Sequence, residues 1–546
     1  MIFLARASYP AAPTDLHSCA PEQLCVIPSG ALLSAPRRLN RNMINFFSTF
    51  RQRAPLSRRA LLIAAGAVLA FAAYAADATG NPPGFYLDES SIAFNAHSIA
   101  VRGVDEHKVV WPLYFRAFGE YKNPVYIYLL ALIFKLAGPS IFAARLLSET
   151  AGFLAALLLG LLAARVSRRV GVGLLVTLTA LFTPWLFELS RLVFEVALYP
   201  LALVGFLFAL WRAHERGRWT LIDSLSLAAT LGLLTYTYSI GRVHAPLLAL
   251  GLIFFVRRAG WRGLALTWAC YGVALVPLFV FNAWHPEALS SRFYLISYIK
   301  PNSALSDIAR GFAEHYLLNL NPARLLVTGE LNIRHHIPTM GSLLAATFAL
   351  AILGVDRIAH RHLNDAWWRY ALYGLAVSLV PAALTRDEFH SLRLIGVPVF
   401  VLLLTVPALT WLWEDERRNS ARRITLLVLL ALTFVQAAVF QYQFHRDGPR
   451  RGNAFEEVYP QIFQTALQTG ARPIYLQDRG IFPGYIHGYW YGALNGLDQT
   501  QFVHLDERAE PPNGSVVVGT IEKCQNCQVL AKQGDYIVFR AASDGR

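Results

Sequence analysis

Two adjacent carboxylates, Asp88 and Glu89, follow the first apolar segment of the chain. Carboxylates beside a membrane are costly unless they are exposed or used. One of them could act as a general base that deprotonates an acceptor hydroxyl or amine, while its neighbour binds a cation or orients the acceptor. A structural interpretation is equally open, in which Asp88 caps the start of a helix and Glu89 supports its first turn.

Single cationic side chains stand where later apolar segments begin or end. Lys122 lies at the expected membrane border, where it could neutralise a lipid phosphate as a point charge. If Arg191, Arg242 and Arg393 converge on it, the four side chains form a phosphate cradle. The alternatives are that Lys122 only anchors the chain at the interface and that each arginine pairs with Glu120, Glu188, Glu195 or Glu388. Further candidates for substrate binding on the same side are Glu120, Tyr121, Glu195, Tyr238, Arg334, His335 and His390.

Metal binding is a further open question. His335 and His336 are adjacent, so their side chains point apart, and a metal site built from this pair is disfavoured. A divalent cation held by Asp88 or Glu89 is favoured instead, because carboxylates at a phosphate site often share a hard ion.

The cysteines do not form a framework of several disulfides. Cys270 lies in an apolar run and is expected to be a buried small residue. Cys524 and Cys527 form one Cys-x-x-Cys pair. An oxidising outer compartment favours a small disulfide between them over a metal or redox role, because no thioredoxin-like context surrounds them.

The composition indicates that lipid is the main solvent of this chain. Of its 546 residues, 55% are hydrophobic and only 15% are charged, against roughly 25% charged in a soluble domain. The apolar runs lack the alternation of strands and therefore predict spanning helices, which need about 20 residues each. About eleven spans are predicted, at 57–77, 142–164, 171–188, 193–211, 221–239, 244–257, 263–282, 341–356, 368–384, 394–412 and 424–442.

Arginine-rich loops orient these spans, because such loops remain on the inner side of the membrane. The loops contain Arg165/Arg168/Arg169, Arg212/Arg216/Arg218, Arg257/Arg258/Arg262, Arg357/Arg361/Arg369 and Arg417/Arg418/Arg422/Arg423. They share one side with the basic N-terminal segment only if the short apolar stretch 124–138 lies on, or re-enters from, the outer face. The loops 78–141, 283–340 and 385–393 are then outside. The predicted location is a bacterial inner membrane with the site facing the periplasm.

The same loops account for most of the net charge of +14. Basic residues are not interleaved with aromatic ones as in a nucleic-acid groove, so a nucleic-acid partner is not expected. We predict a cytoplasmic extension over 1–56, in which the residues before Met43 are expected to precede the true start of the protein. A transmembrane catalytic domain is predicted over 57–442. Residues 443–546 are predicted to form a small periplasmic α/β domain, with strands at Pro473–Gln477, Val516–Thr520 and Tyr536–Arg540 and a helix near 453–468.

Several outer-face segments, taken in order, resemble a known superfamily. They are DESSIAFNAHSI, WPLYFRAFGEYKNPVYIYL, FAARLLS, SRLVFE, YTYSIGR, RHHIPTMG and PAALTRDEFHSLR. Across about residues 57–445 the chain is similar to bacterial members of the superfamily of dolichyl-phosphate-mannose protein mannosyltransferases and aminoarabinose lipid A transferases. The resemblance implies the GT-C fold, a polytopic α-helical membrane domain with interfacial helices.

The resemblance also implies an activity. The donor would be a sugar, a hexose or pentose, linked to a polyprenyl phosphate, and its transfer on the outer face would invert the anomeric centre. Asp88 matches the catalytic acidic residue of the first loop, and Lys122 would contact the donor phosphate. The loop 283–340 lacks the domain that eukaryotic protein mannosyltransferases carry there, so the acceptor stays open between lipid, polysaccharide and protein.

Other functional classes compete with this one. A transporter or flippase of lipid-linked saccharides would place its ionisable residues near the middle of the bilayer, whereas here they cluster at the outer edge. A ligase that uses lipid diphosphate donors would also have basic outer loops and is not separated by the sequence. A membrane anchor for a binding module would not need eleven spans.

Overall fold

The computed structural model describes residues 58–338, 340–414, 420–478, 483–524 and 527–542. The chain divides into two units, Met1–Gly66 and Ala67–Arg546. The first unit is described only from residue 58, so the predicted extension 1–56, with Met43, lies outside the described residues. The same holds for Arg417 and Arg418 of one predicted inner loop.

Helices make up 67% of the described residues, as the apolar runs predict. The helices before the C-terminal domain are α1 (Arg58–Tyr74), α2 (Leu87–Arg102), α3 (Pro124–Ala137), α4 (Ile141–Ser167), α5 (Val170–Phe182), α6 (Pro184–Leu189), α7 (Tyr199–Arg216), α8 (Leu221–Thr237), α9 (Gly241–Gly251), α10 (Val256–Trp284), α11 (Ser291–Ile296), α12 (Leu305–Leu318), α13 (Ala345–Arg357), α14 (Ala366–Ser378), α15 (Val380–Ala383), α16 (Gly396–Glu414) and α17 (Ser420–Asp447). Each predicted span coincides with one or two of these helices.

Five helical segments of the described chain are long and apolar enough to cross a membrane. They are Ile141–Ser167, Glu195–Arg216, Gly241–Trp284, Gly396–Trp413 and Ser420–Phe455. Shorter apolar helices lie at Ala65–Tyr74, Pro124–Ala137, Val170–Phe182 and Leu221–Thr237. A helix of 17 residues spans only about 25 Å, less than the roughly 30 Å of a hydrocarbon core. The count of eleven crossings therefore stays a prediction.

The burial pattern separates inner from outer helices. Helix α16 is apolar on all sides, and its residues Leu402–Leu404 are fully buried, as expected of a helix enclosed by others. Helices α10 and α17 instead expose large apolar side chains, among them Val273, Phe279 and Phe434. Large apolar side chains exposed along a helix in this way are typical of a face that contacts lipid.

The C-terminal domain is a mixed sheet with two helices, as the tail predicts. It consists of α18 (Tyr459–Gln468), β3 (Ile474–Gln477), α19 (Tyr485–Leu494), β4 (Phe502–Leu505), β5 (Val516–Thr520), β6 (Gln528–Gln533) and β7 (Tyr536–Arg540). The strand order is β4-β3-β5-β7-β6. Strand β3 is parallel to β4 and β5, and β7 is antiparallel to β5 and β6. The structure joins Cys524 and Cys527 by a disulfide before β6.

This domain packs directly on helix α2, which carries Asp88. The rings of Phe85 and Trp490 stack with centroids 5.6 Å apart, and Ser90 Oγ lies 2.8 Å from His487 Nδ1. Gly84 has a φ of 73°, and a Cβ at this position would lie 2.3 Å from the carbonyl oxygen of Phe455. The start of α2 is therefore held tightly between the membrane helices and the C-terminal domain.

Candidate functional site

A cavity of about 540 Å³ lies beside the start of α2. We call it the central cavity. Its wall carries five cationic side chains, Lys122, Arg242, Arg292, Arg334 and Arg393, and three carboxylates, Asp88, Glu120 and Glu195. It also includes Tyr86, Tyr121, Tyr238, His335 and His390. Its size suits a drug-sized or sugar-sized ligand, and its excess of cations over carboxylates suits an anionic one.

Asp88 and Lys122 form an ion pair on this wall. A two-stranded hairpin, β1 (Phe115–Ala117) and β2 (Glu120–Lys122), turns through residues of positive φ at Phe118 and Gly119 and places Lys122 opposite the first turn of α2. Lys122 Nζ lies 2.5 Å from Asp88 Oδ1. The lysine side chain is 5% exposed, whereas that of Asp88 is 31% exposed and faces the cavity.

This pairing sets the charge state of both groups. Burial raises the pKa of Asp88, but the neighbouring Lys122 ammonium, with Arg334 and Arg292, more than offsets it and holds the pKa below its ordinary value. Burial lowers the pKa of Lys122, and Asp88, Glu195 and Glu120 together raise it above its ordinary value. Both groups are therefore ionised at neutral pH, and the carboxylate is available as a base.

Two of the three predicted arginines join Lys122 on the wall. Arg242 donates through Nη2 to Asn123 Oδ1 at 3.1 Å, which fixes it beside the lysine. Arg393 donates to Thr385 Oγ1 at 2.8 Å and pairs with Asp387. Both guanidinium groups are thus held in place by the hydrogen bonds that their N–H groups donate.

The third arginine, Arg191, does not reach the central cavity. It is buried and donates to Glu149 Oε1 at 3.1 Å and to the carbonyl oxygens of Tyr74 and Ala76. The expectation of a four-member cradle is corrected accordingly. Arg191 instead holds the end of α1 against α4, because backbone carbonyls at a helix end need donors.

Glu89 is also absent from the cavity wall, although its neighbour Asp88 lies there. It is fully buried and accepts hydrogen bonds from Tyr86 N at 2.8 Å and Val193 N at 3.0 Å. Arg145 Nη2 approaches it at 3.3 Å. Successive helical side chains point about 100° apart, so the two carboxylates diverge, and of the two only Asp88 lines the cavity. Glu89 supports the start of α2, as the structural interpretation of the pair expects.

The remaining predicted substrate-binding residues lie on the cavity wall. Glu195 Oε1 accepts from Asn123 N at 2.9 Å, which holds the residue after Lys122. Glu120 pairs with Arg292 at 3.1 Å. Tyr121 and Tyr238 add aromatic surface, and Tyr121 packs edge-on to Phe281. Aromatic faces and carboxylates together are suited to binding a sugar ring and its hydroxyl groups.

Arg334, His335 and His390 come to the wall from two loops, 319–344 and 384–395. The guanidinium of Arg334 lies 4.2 Å from the ring centroid of Tyr86. His335 Nδ1 lies 2.9 Å from Glu330 Oε1, and His390 Nδ1 lies 3.9 Å from the same oxygen. His336, as adjacency predicts, points elsewhere and contacts Glu188.

A second cavity of about 390 Å³ adjoins the first. The two share Tyr86, Asn332 and Arg334, so the stacked Tyr86–Arg334 pair forms the partition between them. The other side is lined by Glu456, Gly484 and Tyr536, which belong to the C-terminal part of the chain. We call this space the interdomain cleft.

Arg292 on the wall and Glu330 beside it were not predicted from the sequence. Arg292, in the loop 283–340, supplies a further cation, and Glu330 joins the two histidines. Arg292 shares the signal used for the other arginines, a single cation near the mouth of a helix. Glu330 had no such signal, because its contacts with His390 and Ser391 cross 60 residues of sequence.

No protein-family model matches the sequence, and no curated protein matches it either. Solved structures do match. ArnT from Cupriavidus metallidurans bound to undecaprenyl phosphate superposes with a TM-score of 0.58, covering 89% of this chain and 98% of ArnT at 13% sequence identity. The chain has the fold of ArnT. The apo form of ArnT gives a TM-score of 0.54, 15% identity and coverage of 87% and 98%. The resemblance predicted from the sequence is therefore confirmed at the level of the fold, which this chain shares with ArnT.

Proposed function

We propose that this protein is a membrane glycosyltransferase that moves a sugar from a polyprenyl-phosphate-linked donor to an acceptor. The observation that carries the proposal is the Asp88–Lys122 pair on the wall of the central cavity. A carboxylate and an ammonium lie side by side, and this pair suits sugar transfer from a phosphate, with the carboxylate as base and the ammonium as the cation that binds the phosphate. ArnT, which shares the fold, has been solved with undecaprenyl phosphate bound.

The donor phosphate would bind among the cations. Lys122 and Arg242 are held together through Asn123, and Arg292 and Arg393 face the same space. A phosphate in this position would share Lys122 with Asp88 and would weaken the pull of the lysine on the carboxylate. Asp88 would then become more basic when the donor is present.

The reaction would be a single displacement. The acceptor oxygen or nitrogen forms a bond to the anomeric carbon as the bond between that carbon and the phosphate oxygen breaks. Asp88 takes the acceptor proton, and the electron pair leaves with the lipid phosphate, whose charge the cations stabilise. The leaving group therefore needs no acid, and attack from the opposite face inverts the anomeric configuration.

The acceptor would enter through the interdomain cleft. This cleft meets the central cavity at the stacked Tyr86–Arg334 pair. Tyr86 lies two residues before Asp88 in the sequence. An acceptor group that displaces Arg334 from Tyr86 would enter the central cavity, where Asp88 lies. The acceptor stays open between a lipid, a polysaccharide and a protein, because each can present a nucleophilic hydroxyl or amine.

The site would face the periplasm of a bacterial inner membrane. Support comes from the arginine-rich loops, which belong on the cytoplasmic side. A chain with its native cysteines replaced by alanine and a new cysteine at exposed Glu287, near the cavity, tests this orientation. A membrane-impermeant maleimide should label this cysteine in intact spheroplasts, whereas a cysteine at exposed Arg361, in a predicted inner loop, should react only after lysis.

The function itself is tested by comparing cells with and without the protein. Mass spectrometry of lipids and envelope glycans should show a polyprenyl-phosphate sugar that accumulates, and a glycan modification that disappears, when the gene is deleted. The purified protein should then transfer that sugar from the same lipid. A donor that accumulates on the cytoplasmic leaflet, with no transfer by the purified protein, would indicate a flippase instead.

A further inference from the structure

Asp478, His504 and Asp506 form a compact cluster in the C-terminal domain, and none of them lines the central cavity or the interdomain cleft. One ligand-type atom of each residue lies within 4.8 Å of the others. The set offers one imidazole and two carboxylate groups. From this geometry we propose that the cluster binds a divalent transition-metal cation, with Zn²⁺ as the expected ion.

The pairing of two parallel strands brings these side chains together. In the register of β3 with β4, Gln477 lies opposite Leu505. Asp478 follows directly, and its N–H donates to the carbonyl oxygen of Leu505 at 3.1 Å. Residues two apart on a strand point to the same face, so His504 and Asp506 share a face. The cluster thus lies at the carboxyl ends of two parallel strands, the edge at which open α/β sheets bind ligands.

The charges of the cluster are unbalanced without a cation. Asp478 Oδ2 lies 2.7 Å from His504 Nε2. Neither Asp478 nor Asp506 forms an ion pair with a lysine or arginine among the described residues. Two carboxylates so close together repel each other, and an opposite charge beside them relieves the repulsion. The imidazole supplies at most one positive charge, whereas a divalent cation would neutralise both carboxylates.

One oxygen of the cluster is also buried without a partner. The side chain of Asp478 is only 15% exposed. Its Oδ1 is buried and has no hydrogen-bond partner in the part of the chain that the structure describes. A buried carboxylate oxygen without a partner is unfavourable. The contact with His504 is made through the other oxygen and leaves Oδ1 unsatisfied, whereas coordination of a cation by the carboxylate would satisfy it.

The ligand set fits Zn²⁺, which takes histidine nitrogen and aspartate oxygen at about 2.0–2.2 Å. Such ligands lie roughly 3.3 Å apart around a tetrahedral ion, so His504 Nε2 and Asp478 Oδ2 would separate by about 0.6 Å on binding. The imidazole is held by packing on Tyr485, with ring centroids 4.1 Å apart. Water would complete the coordination, because Asp506 is exposed. Zn²⁺ should bind more tightly than Mn²⁺, as it does at most sites of this kind.

The ion would stabilise the domain beside its contact with the segment after α2. Tyr485, which packs on His504, donates to Glu106 Oε2 at 3.3 Å. An ion that joins the end of β3 to β4 would therefore fix the imidazole on which Tyr485 rests. The site does not depend on the transferase proposal.

The test counts zinc in the full-length protein, purified in detergent with its affinity tag removed and its metals stripped by a chelator. At a zinc concentration that just saturates the wild type, elemental analysis should find one Zn²⁺ fewer per chain in Asp478→Asn and in His504→Ala. Their affinity at this site should fall at least about 100-fold. Zinc bound elsewhere on the chain is common to all these proteins and cancels in the difference.

The matched control is Glu510→Gln, which removes an exposed carboxylate from the same domain and should bind as many ions as the wild type. Equal zinc contents in the wild type, Asp478→Asn and His504→Ala would overturn the proposal.

A second measurement uses the wild type alone and so does not depend on how a variant folds. Diethyl pyrocarbonate modifies accessible imidazole nitrogens, and peptide mass spectrometry locates the modified residues. His504 should react in the metal-free protein and should lose this reactivity when Zn²⁺ is added. Exposed His362 should react equally in both states. If the modification of His504 is the same with and without zinc, the site does not exist.

Discussion

The ammonium of Lys122 lies 2.5 Å from the carboxylate of Asp88, and this pair forms one wall of a cavity that also holds four arginines. The lysine is brought there by a hairpin and the aspartate by the first turn of α2. The buried lysine beside a partly exposed carboxylate has two effects. It keeps the carboxylate ionised, and its own charge can bind a phosphate.

Removal of the lysine should weaken lipid-phosphate binding. Lys122→Met should raise the Kd for undecaprenyl phosphate by about 10- to 100-fold, because a charge-assisted hydrogen bond contributes roughly 1.5–3 kcal/mol. Binding to the purified protein can be followed by native mass spectrometry or tryptophan fluorescence. Arg191→Lys, which alters a buried arginine away from the cavity, should leave the Kd of the folded protein unchanged. Equal weakening in both variants would contradict the placement of the phosphate.

The same substitution should change the pH dependence of activity. With Lys122 present, the pKa of Asp88 is below its ordinary value, so its ionised form persists into the acidic range. In Lys122→Met, burial raises this pKa without the main opposing charge. The acidic limb of kcat/KM should therefore move to higher pH. If kcat/KM of wild type and variant falls at the same pH, Asp88 is not the group that titrates.

Glu89 should behave as a structural residue. Glu89→Ala removes one member of a buried ion pair with Arg145, and the loss of one partner costs about 3–5 kcal/mol. The thermal midpoint of the purified protein should fall sharply. Glu120→Ala, which removes a carboxylate that is 27% exposed, should change the midpoint little. A stable Glu89→Ala protein that has lost only donor affinity would contradict this assignment.

Glu106 should make the packing of the C-terminal domain sensitive to pH. This residue accepts hydrogen bonds from Asn95 and Tyr485 between α2 and α19. Burial raises its pKa to about 7. Because the folded pKa exceeds the ordinary value of 4.5, the folded form binds more protons, and stability falls as pH rises from about 4.5 to 7.

Glu106→Gln should remove this pH-dependent loss of folding stability, which amounts to at most about 3 kcal/mol. The thermal midpoint of the wild type should fall between pH 5 and pH 8 by more than that of the variant. Comparison of the two proteins separates Glu106 from the nearby His107, which titrates in both. Parallel pH dependences in the two proteins would show that Glu106 is ionised without cost.

The helices and several strands were predictable because their signals are local. Runs of apolar residues mark α4, α7 and α16, and short runs rich in β-branched or aromatic residues mark β5 and β7. The orientation of single charged side chains was not predictable, because their partners are remote in sequence. Arg191 and Arg242 are both single arginines at the ends of apolar segments. Arg191 is bound to Glu149 away from the cavity, whereas Arg242 is bound to Asn123 on the cavity wall.

The acidic pair shows the same limit. Asp88 and Glu89 are indistinguishable as neighbouring carboxylates, and only the three-dimensional position of Arg145, 56 residues later, separates them. The same reason accounts for Glu330, which meets His390 only when the loops 319–344 and 384–395 come together.

The most direct measurement is the rate of sugar transfer by Asp88→Asn from a polyprenyl-phosphate sugar, with protein shown to be folded and to bind undecaprenyl phosphate. Loss of a general base should reduce turnover by about 10²- to 10⁴-fold. Asp307→Asn, at an exposed position on α12, should retain full activity. Turnover by Asp88→Asn equal to that of the wild type would contradict the central claim that this carboxylate deprotonates the acceptor.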